Sequence, residues 1–382
     1  MKILFASDIS FNYFSSFPDR KQVCETMRET AEYFHASDFS ILNLENIVGE
    51  KKQYTPIVKT GPNLISEDSF LEYIDILCPT AVGLANNHAG DFGEGALHHT
   101  MQLLQQKYLC IGAGKNIEEA YRPAEFIKDG IRVSVFAVCE NEFGIAAENT
   151  TGAAGYRLEL VTEAIRLAKS NGSMPIIYFH GGNEHNPFPS PGKVELYRHF
   201  IDLGAGAVIA MHTHCPQGYE FYRGKPIVYS MGNFFFPHAN PATTTWHYGY
   251  MTELEISADK IGLNVIPYHF DFEYHSVLCG KEKERFITYL EILNSVIQDK
   301  KLLQRYFDAW CMIAGMDYIK RLKYSETMEQ DGAEAIKELK NLLSCEAHNE
   351  LMANTLKILF EARCDSARTH VPQIKKLQDM KN

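Results

Sequence analysis

The chain has 382 residues, enough for one large domain with a smaller one beside it, and its 45% apolar and 22% charged residues are typical of a soluble globular protein. A formal net charge of -11 argues against a nucleic-acid-binding protein, which normally carries a basic face. The nine cysteines include no Cys-x-x-Cys pair, so they indicate neither a zinc knuckle nor a disulfide framework.

The apolar run at residues 3–6 is too short for a signal-peptide core or a membrane span, and it leads directly into a predicted strand. We therefore expect a cytoplasmic protein with no direct membrane span. The sequence carries no signal for an oligomeric state.

Strands and helices alternate along most of the chain. Short apolar runs predict strands at residues 2–6, 41–45, 81–85, 109–112, 175–179 and 207–210. Helical periodicity and capping residues predict helices at 20–35, 66–76, 96–107, 158–170 and 191–203. Hairpin signals at 126–133, 219–229 and 251–267 predict mixed rather than purely parallel sheets. Two sheets flanked by helices fit this order of elements.

The pattern changes near residue 275. Beyond it, apolar residues recur at helical spacing over 286–297, 302–314 and 336–343. We predict one domain over residues 1–272 and a helical C-terminal region over 273–382. This region shows no cluster of histidines and acids, so we expect it to supply no metal ligand.

Metal-ligand side chains stand at the ends of the predicted strands. They are Asp8, Glu45, Asn87 with His88, His180, and His212 with His214. The His-x-His pair alone would fit two surface histidines equally well, but ligands bind beyond the carboxyl ends of strands in open α/β sheets. Mixed carboxylates and imidazoles suit manganese, iron or zinc. The set is large enough for two ions, with Glu45 as the natural bridge.

Six segments carry a family resemblance over about the first 270 residues. In order, they are Asp8, Asn43-Leu44-Glu45, Asn86-Asn87-His88-Ala89-Gly90-Asp91-Phe92-Gly93, His180-Gly181-Gly182-Asn183-Glu184, Met211-His212-Thr213-His214 and Tyr229-Ser230-Met231-Gly232-Asn233-Phe234. They resemble the motifs of CapA-type capsule and poly-γ-glutamate biosynthesis proteins, which belong to the calcineurin-like metallophosphoesterase superfamily.

This resemblance implies an α/β fold, specifically a four-layer α/β/β/α sandwich, to which the C-terminal helices are an extension. It also implies one or two divalent transition metals. One would be held by Asp8, Glu45 and His214, and the other by Glu45, Asn87, His180 and His212.

Other motif residues receive roles beside the metals. The resemblance implies that His88 faces the substrate, and we expect it to act as a proton donor or transition-state stabiliser, with Asp91 as a second catalytic residue. The expected substrate-binding residues are Asn43, Asn183, Glu184 and Asn233. Four further residues could line a substrate pocket, although the sequence favours ordinary surface positions for them: Lys59, Arg157, Trp246 and His247.

The chain departs from the superfamily at two motif positions. Ser10 stands where many members have a histidine, which predicts a first metal held more weakly than the second. Met211 stands where the family usually has glycine before His-x-His, and we expect an extended backbone there to tolerate it.

The resulting hypothesis is a metal-dependent hydrolase that acts on a small-molecule or polymer-linked phosphate ester in capsule, polysaccharide or poly-γ-glutamate metabolism. The alternative is a non-catalytic metal-binding assembly factor of a polymer biosynthesis system. A role in ATP-driven ligation is disfavoured, because the sequence has no Gly-rich phosphate loop with a following Lys and Ser or Thr.

Overall fold

A computed structural model describes residues 1–11 and 20–380. The strands are β1 Lys2–Ile9, β2 Phe39–Leu44, β3 Ile47–Val48, β4 Ile65–Ser66, β5 Ala81–Gly83, β6 Leu109–Ile111, β7 Ala113–Gly114, β8 Ala124–Lys128, β9 Ile131–Cys139, β10 Gly152–Ala153, β11 Met174–His180, β12 Ala207–Met211, β13 Tyr219–Tyr222, β14 Lys225–Val228, β15 Asn233–Phe235, β16 Tyr248–Ile256, β17 Ile261–Phe270 and β18 His275–Val277.

The α-helices are α1 Arg20–Ala36, α2 Leu71–Leu77, α3 Gly93–Leu104, α4 Ile117–Ala120, α5 Leu158–Ser170, α6 Pro191–Leu203, α7 Gly280–Gln298, α8 Lys300–Trp310, α9 Met316–Arg321, α10 Tyr324–Ser344, α11 Glu346–Phe360, α12 Cys364–Ala367 and α13 Val371–Leu377. None of the described helices is both long and apolar enough to cross a lipid bilayer.

Two large mixed sheets confirm the α/β class. The first follows the order β18-β17-β16-β1-β2-β5-β6, and β15 also pairs with β1. Its β1, β2, β5 and β6 are parallel, whereas β16, β17 and β18 are antiparallel. The second sheet follows β13-β14-β12-β11-β9-β8, with parallel inner strands and an antiparallel strand at each edge.

Buried aromatic residues join the two large sheets. The Tyr178 hydroxyl on β11 donates a hydrogen bond of 2.5 Å to the Ala6 carbonyl oxygen on β1. The Phe5 and Tyr178 rings lie 5.8 Å apart between centroids, and Phe39 stacks on Phe126 at 4.5 Å. Helices α5 and α6 pack against β11 and β12 of the second sheet, and α1 packs against β18 of the first. This packing brings the ends of β1 and β12 close together.

Local sequence signals predicted several elements well. Helix α5 begins and ends at the predicted residues. Helix α6 begins at Pro191, and the Ser190 hydroxyl accepts a hydrogen bond from the Lys193 backbone N–H, as its N-cap position requires. The Asp129-Gly130 hairpin between β8 and β9 is also present. Each of these depends on residues adjacent in sequence.

The predicted bounds were wrong for elements whose ends depend on pairing with a strand that is distant in sequence. Strand β1 continues to Ile9, beyond the predicted end at residue 6, because its last residues pair with β15, where Asp8 lies opposite Asn233. Ser66 does not begin a helix. It lies in β4, which pairs with β3, and its hydroxyl accepts a hydrogen bond from the Asn46 amide at 2.8 Å.

The segment from Gly280 to Leu377 contains helices α7 to α13, and the division at residue 272 remains a prediction. Strand β18 lies after that position and belongs to the first sheet. The helices share a continuous core with the sheets through buried side chains such as Phe286, Leu293 and Leu351. Asn294 of α7 also accepts a hydrogen bond of 2.7 Å from the Tyr219 backbone N–H on β13.

Candidate metal centre

The carboxyl ends of strands from both sheets meet at one place. The His212 backbone N–H, just after β12, donates a 3.1 Å hydrogen bond to Asp8 Oδ2 on β1. His180, the last residue of β11, places Nε2 at 3.5 Å from Asp8 Oδ1 and at 3.3 Å from Glu45 Oε1. The convergence expected from the strand ends is therefore present for these four residues.

A local irregularity positions the Asp8 carboxylate. The register of β1 against both β2 and β15 shifts at Asp8, as at a β-bulge, which redirects a side chain relative to a regular strand. Asn43 Nδ2 on β2 donates a 2.7 Å hydrogen bond to Asp8 Oδ1. This hydrogen bond orients the Asp8 carboxylate, and the expected role of Asn43 in binding substrate remains a prediction.

Glu45, His180 and His212 form a compact group. One possible ligand atom from each lies within 4.8 Å of those of the other two, and all three side chains are buried. Both Glu45 carboxylate oxygens, His180 Nε2 and His212 Nδ1 have no hydrogen-bond partner among the described residues. A buried polar atom without a partner is costly, so this arrangement fits a bound cation.

The electrostatics of the group point in the same direction. Burial raises the pKa of Glu45 to about 8, and burial together with the neighbouring Glu45 charge raises the pKa of Asp8 to about 7. Burial lowers the pKa of His180 to about 4. Without a cation, burial therefore disfavours the ionised form of both carboxyl groups and of the imidazole. A divalent cation would offset this for the carboxylates, because it is coordinated by ionised carboxylates and neutral imidazoles. The residues therefore fit a transition-metal site.

The His-x-His segment has an unusual backbone. His212 has a φ of 101° and His214 a φ of 54°, values that cost non-glycine residues roughly 1–3 kcal/mol each and that cluster at functional sites. The rings of the two histidines lie 6.0 Å apart. The strain is consistent with a segment shaped for ligand placement rather than for packing alone.

Asn233 holds the His214 ring. Asn233 Oδ1 lies 2.8 Å from His214 Nδ1, and Asn233 Nδ2 donates a 3.0 Å hydrogen bond to the Trp246 carbonyl oxygen. With Nδ1 engaged as the donor, His214 Nε2 is the nitrogen left to coordinate a metal. One end of the Asn233 amide is thus engaged with His214 and the other with Trp246, and the substrate contact expected of Asn233 remains a prediction. Trp246, expected at the surface, is buried with its ring 4.4 Å from that of His214.

Asn87 and Ser10 also occupy positions consistent with the site. Asn87 lies in the turn after β5, and its buried Oδ1 lacks a hydrogen-bond partner within the described part of the chain. Ser10 is buried directly after β1, and its Oγ is equally without a partner there. Their coordination of a metal remains a prediction.

A buried triad of charged and polar groups lies beside the strand-end residues. His88 Nδ1 lies 2.7 Å from Asp91 Oδ2, and Lys59 Nζ lies 2.5 Å from Asp91 Oδ1 and 3.1 Å from His88 Nδ1. Burial, and then the Lys59 charge, lower the pKa of His88 to about 4. A neutral imidazole is therefore favoured at pH 7, whereas the expected proton donor requires the imidazolium.

The sequence prediction missed Lys59. Its side chain is buried and paired with Asp91, although its surroundings in the sequence suggested an exposed loop. The loop carrying Lys59 is fixed by the Asp91 carbonyl oxygen, which accepts a hydrogen bond of 2.9 Å from the Ile57 backbone N–H. No local pattern of residues signals such a contact.

Two expected substrate residues lie at the border with the C-terminal helices. Asn183 Nδ2 donates a 3.2 Å hydrogen bond to the Ala347 carbonyl oxygen in α11. The Glu184 side chain is 48% exposed. Desolvation would raise the pKa of Glu184, but the imidazoles of His214 and His185 hold that pKa below its usual value. Glu184 thus remains available as an anionic group at the rim.

The helical region therefore reaches the site, which its sequence did not suggest. Besides the Ala347 contact, Gln378 Nε2 after α13 donates a 2.7 Å hydrogen bond to the His185 carbonyl oxygen. Glu346 at the start of α11 accepts hydrogen bonds of 2.6 Å and 3.0 Å from the side chain and backbone of Asn141. The C-terminal helices thus form hydrogen bonds with the two loops that follow β9 and β11.

Comparison with known proteins finds relatives over part of the chain. PGA biosynthesis protein CapA of Bacillus subtilis (strain 168) is 27% identical over 237 residues, which cover 61% of this chain and 62% of that protein. Capsule biosynthesis protein CapA of Bacillus anthracis is 26% identical over 218 residues, which cover 55% of this chain and 53% of that protein.

A third relative is a probable polyglutamine synthesis accessory protein of Mycobacterium tuberculosis (strain CDC 1551 / Oshkosh). It is 28% identical over 216 residues, which cover 52% of this chain and 55% of that protein. The chain thus spans less than two thirds of the length of each of these three relatives.

Residues 7–238 match the family model described as bacterial capsule synthesis protein PGA_cap. This match covers more than half of the chain and includes every strand-end residue from Asp8 to His214. The chain therefore belongs to the PGA_cap family of bacterial capsule synthesis proteins.

Proposed function

We propose that this protein is a metal-dependent phosphoesterase-like hydrolase with a role in capsule, polysaccharide or poly-γ-glutamate metabolism. The observation that carries the proposal is the buried group of Glu45, His180 and His212. One possible ligand atom from each lies within 4.8 Å of those of the other two, and each side chain has a polar atom without a hydrogen-bond partner among the described residues. The names of the relatives support the link to capsule and poly-glutamate synthesis. The proposed substrate is a small-molecule or polymer-linked phosphate ester.

We also propose the finer architecture and metal sites of the superfamily. The two large sheets and their helices would form a four-layer α/β/β/α domain over residues 1–272, extended by a helical region over 273–382. One metal would be held by Asp8, Glu45 and His214. The other would be held by Glu45, Asn87, His180 and His212. Truncation after Val277 should lower solubility, because it uncovers core side chains that α7 and α8 bury.

Manganese, iron or zinc ions bound there would polarise a phosphoryl oxygen and lower the pKa of water. The chain's own residues would orient those ions and the substrate. Asn43 fixes the Asp8 carboxylate, and Asn233 fixes the His214 imidazole. Ser10 supplies a hydroxyl where an imidazole would bind more strongly, so the first ion should be held less tightly. Titration of chelated protein should give two unequal affinities or one equivalent, and two equally tight equivalents would contradict this.

We propose that three side chains stabilise the negative charge of the substrate and transfer a proton to it: His88, Asp91 and Lys59. Among the described residues, both polar contacts of the His88 ring involve Nδ1, which leaves Nε2 for a substrate oxygen. Asp91 holds the ring in that tautomer, and Lys59 adds a positive charge beside it. A substrate phosphate would favour the imidazolium, so His88 can donate a proton to the leaving alkoxide once substrate is bound. Such donation is worth roughly 10²- to 10⁴-fold in rate.

The first experiment combines metal analysis with a screen of phosphomonoesters and phosphodiesters. The wild type should carry metal and hydrolyse some of these esters, and the His212→Ala, His214→Ala double variant should lose both. The matched control is a His98→Ala, His99→Ala double variant on α3, because these histidines lie outside the strand-end group. Unchanged metal content in the first variant would refute the proposed centre.

The second experiment separates the roles of His88 by leaving group. His88→Ala should keep its metal but lose far more activity on alkyl phosphates than on nitrophenyl phosphates, whose leaving group needs little protonation. An equal loss on both substrates would indicate stabilisation of charge instead. Loss of metal would make His88 a ligand.

The second candidate function is a non-catalytic metal-binding assembly factor of a polymer biosynthesis system. Two observations favour it, namely the serine at position 10 and the word accessory in the name of the mycobacterial relative. A metal-loaded wild type that hydrolyses none of the phosphate esters would support this alternative over the hydrolase.

A further inference from the structure

A second group of metal-ligand side chains lies outside the strand-end centre. It consists of Glu142, Cys345 and His348, and one possible ligand atom from each lies within 4.8 Å of those of the other two. Glu142 belongs to the loop after β9. Cys345 stands between α10 and α11, and His348 lies in the first turn of α11. The group therefore spans the boundary between the second sheet and the C-terminal helices.

The three side chains lie close to one another in the structure. Cys345 is completely buried, and its Sγ lies 3.6 Å from Glu142 Oε1 and 3.8 Å from Glu140 Oε2. Cys345 is the N-cap residue of α11 and His348 is its third helical residue, two positions whose side chains lie near each other at the start of a helix. His348 Nδ1 lies 3.4 Å from the Asn341 carbonyl oxygen, so Nδ1 is the protonated nitrogen and Nε2 is left as a ligand.

The charges around the group are unbalanced. Lys193 Nζ lies 2.5 Å from Glu140 Oε1 and so neutralises Glu140. Within residues 1–11 and 20–380, no ion pair includes Glu142, whose side chain receives only a 3.4 Å hydrogen bond from Asn341 Nδ2 and the Cys345 contact. A cation at this point would balance a carboxylate that otherwise lacks one.

We propose that Glu142, Cys345 and His348 bind a divalent transition metal ion, with zinc preferred, and that this ion ties the α10–α11 junction to the loop after β9. A thiolate, an imidazole and a carboxylate form a set typical of zinc. Binding releases the Cys345 thiol proton to solvent, since the thiolate is the coordinating form. The fourth position is left to water.

This site is distinguishable from the strand-end centre by its sulfur. The proposed ligands of the strand-end centre are oxygen and nitrogen atoms only. Cobalt(II) bound to a thiolate shows a near-ultraviolet charge-transfer absorption that cobalt bound only to oxygen and nitrogen does not. That absorption therefore reports the Cys345 site even in a protein that also binds cobalt at the other centre.

The test uses the full chain, stripped with a chelator and titrated with cobalt(II). The wild type should develop the thiolate absorption, and Cys345→Ser should lose it together with one equivalent of metal. The matched control is Cys364→Ser, because Cys364 lies on α12 among the same C-terminal helices but outside the group. His348→Ala should weaken cobalt binding at this site by at least tenfold, as expected for loss of a ligand.

Two further outcomes decide the proposal. The His212→Ala, His214→Ala variant should retain the thiolate absorption, which keeps this test independent of the proposed hydrolase function. A cobalt-loaded, folded wild type without the absorption, or a Cys345→Ser protein with an unchanged absorption, would overturn the proposal. If Cys345→Ser does not fold, Glu142→Gln provides the second variant, and unchanged cobalt affinity in it would also count against the site.

Discussion

Replacement of Glu45 by glutamine should raise the stability of the folded protein without metal and lower it, relative to the wild type, when metal is bound. Glu45 is completely buried, neither of its carboxylate oxygens has a hydrogen-bond partner among the described residues, and burial raises its pKa from an ordinary 4.5 to about 8. In chelated protein at pH 7, the folded state must therefore hold a proton on Glu45 that the unfolded state has released. Glutamine is nearly isosteric and carries no such requirement.

The magnitude follows from the difference between these pKa values. One pKa unit corresponds to about 1.4 kcal/mol, so a folded protein that must keep Glu45 protonated at pH 7 loses up to about 3 kcal/mol of its free energy of unfolding. Because the pKa of Glu45 is higher in the folded than in the unfolded state, the free energy of unfolding falls as the pH rises from the unfolded pKa towards the folded pKa. Chelated Glu45→Gln should therefore be more stable than chelated wild type at pH 7, with the difference vanishing near pH 4.5.

Added metal should reverse the order. A ligand at about 100 times its dissociation constant stabilises the folded state by roughly 2.7 kcal/mol, and an amide oxygen coordinates a transition metal more weakly than a carboxylate does. The assay is denaturant unfolding between pH 5 and 8, first with chelator and then with manganese or zinc. The wild type should gain stability from metal, and Glu45→Gln should gain much less.

The matched control is Glu220→Gln. Glu220 is also buried, but its carboxylate forms two hydrogen bonds with the Arg198 guanidinium at 2.7 Å and 2.8 Å. Its replacement should destabilise the protein with or without metal, because it leaves the half-buried Arg198 guanidinium poorly paired. If chelated Glu45→Gln were no more stable than chelated wild type at pH 7, the reasoning about the buried carboxylate would be refuted.

Three further predictions concern single side chains. Burial lowers the pKa of His275 to about 3, so the free energy of unfolding should fall by roughly 2–3 kcal/mol as pH drops from 6.5 to 4.5, and His275→Gln should remove that part of the slope in acid titrations followed by circular dichroism. Asn233→Ala should weaken metal binding by about 10- to 100-fold, measured by competition with a chelator, because His214 loses the group that orients it; an unchanged affinity would exclude His214 as an oriented ligand. Tyr178→Phe should lower the free energy of unfolding by about 1–3 kcal/mol, measured with denaturant, since it leaves the buried Ala6 carbonyl oxygen without its donor; no change would mean that this link between the sheets adds nothing.

The strand-end residues were predictable because their signal is local. Asp8, Glu45, His180 and His212 each lie at the end of a short apolar run, and residues at the carboxyl ends of parallel strands meet at one edge of their sheet. Asp8 and Glu45 belong to the first sheet and His180 and His212 to the second, so the packing of the two sheets brings the two pairs together. The hairpin at Asp129-Gly130, the bounds of α5 and the Ser190 cap of α6 are local in the same sense. Such features depend on backbone preferences that a few adjacent residues determine.

Only the tertiary structure decided the partners of these residues. The burial of Lys59 against Asp91 and the bond from Asn233 to His214 join segments 32 and 19 residues apart, respectively, and depend on how loops pack over the strand ends. Cys345 and His348 meet Glu142 across about 200 residues, because α11 packs against the loop after β9. Periodicity and composition do not predict such contacts, because a helix with the same apolar face could pack against another part of the protein without any change in its own sequence pattern. The sequence alone thus determined which side chains stand ready at the strand ends, and the packing of the two sheets and the C-terminal helices determined what each of them touches.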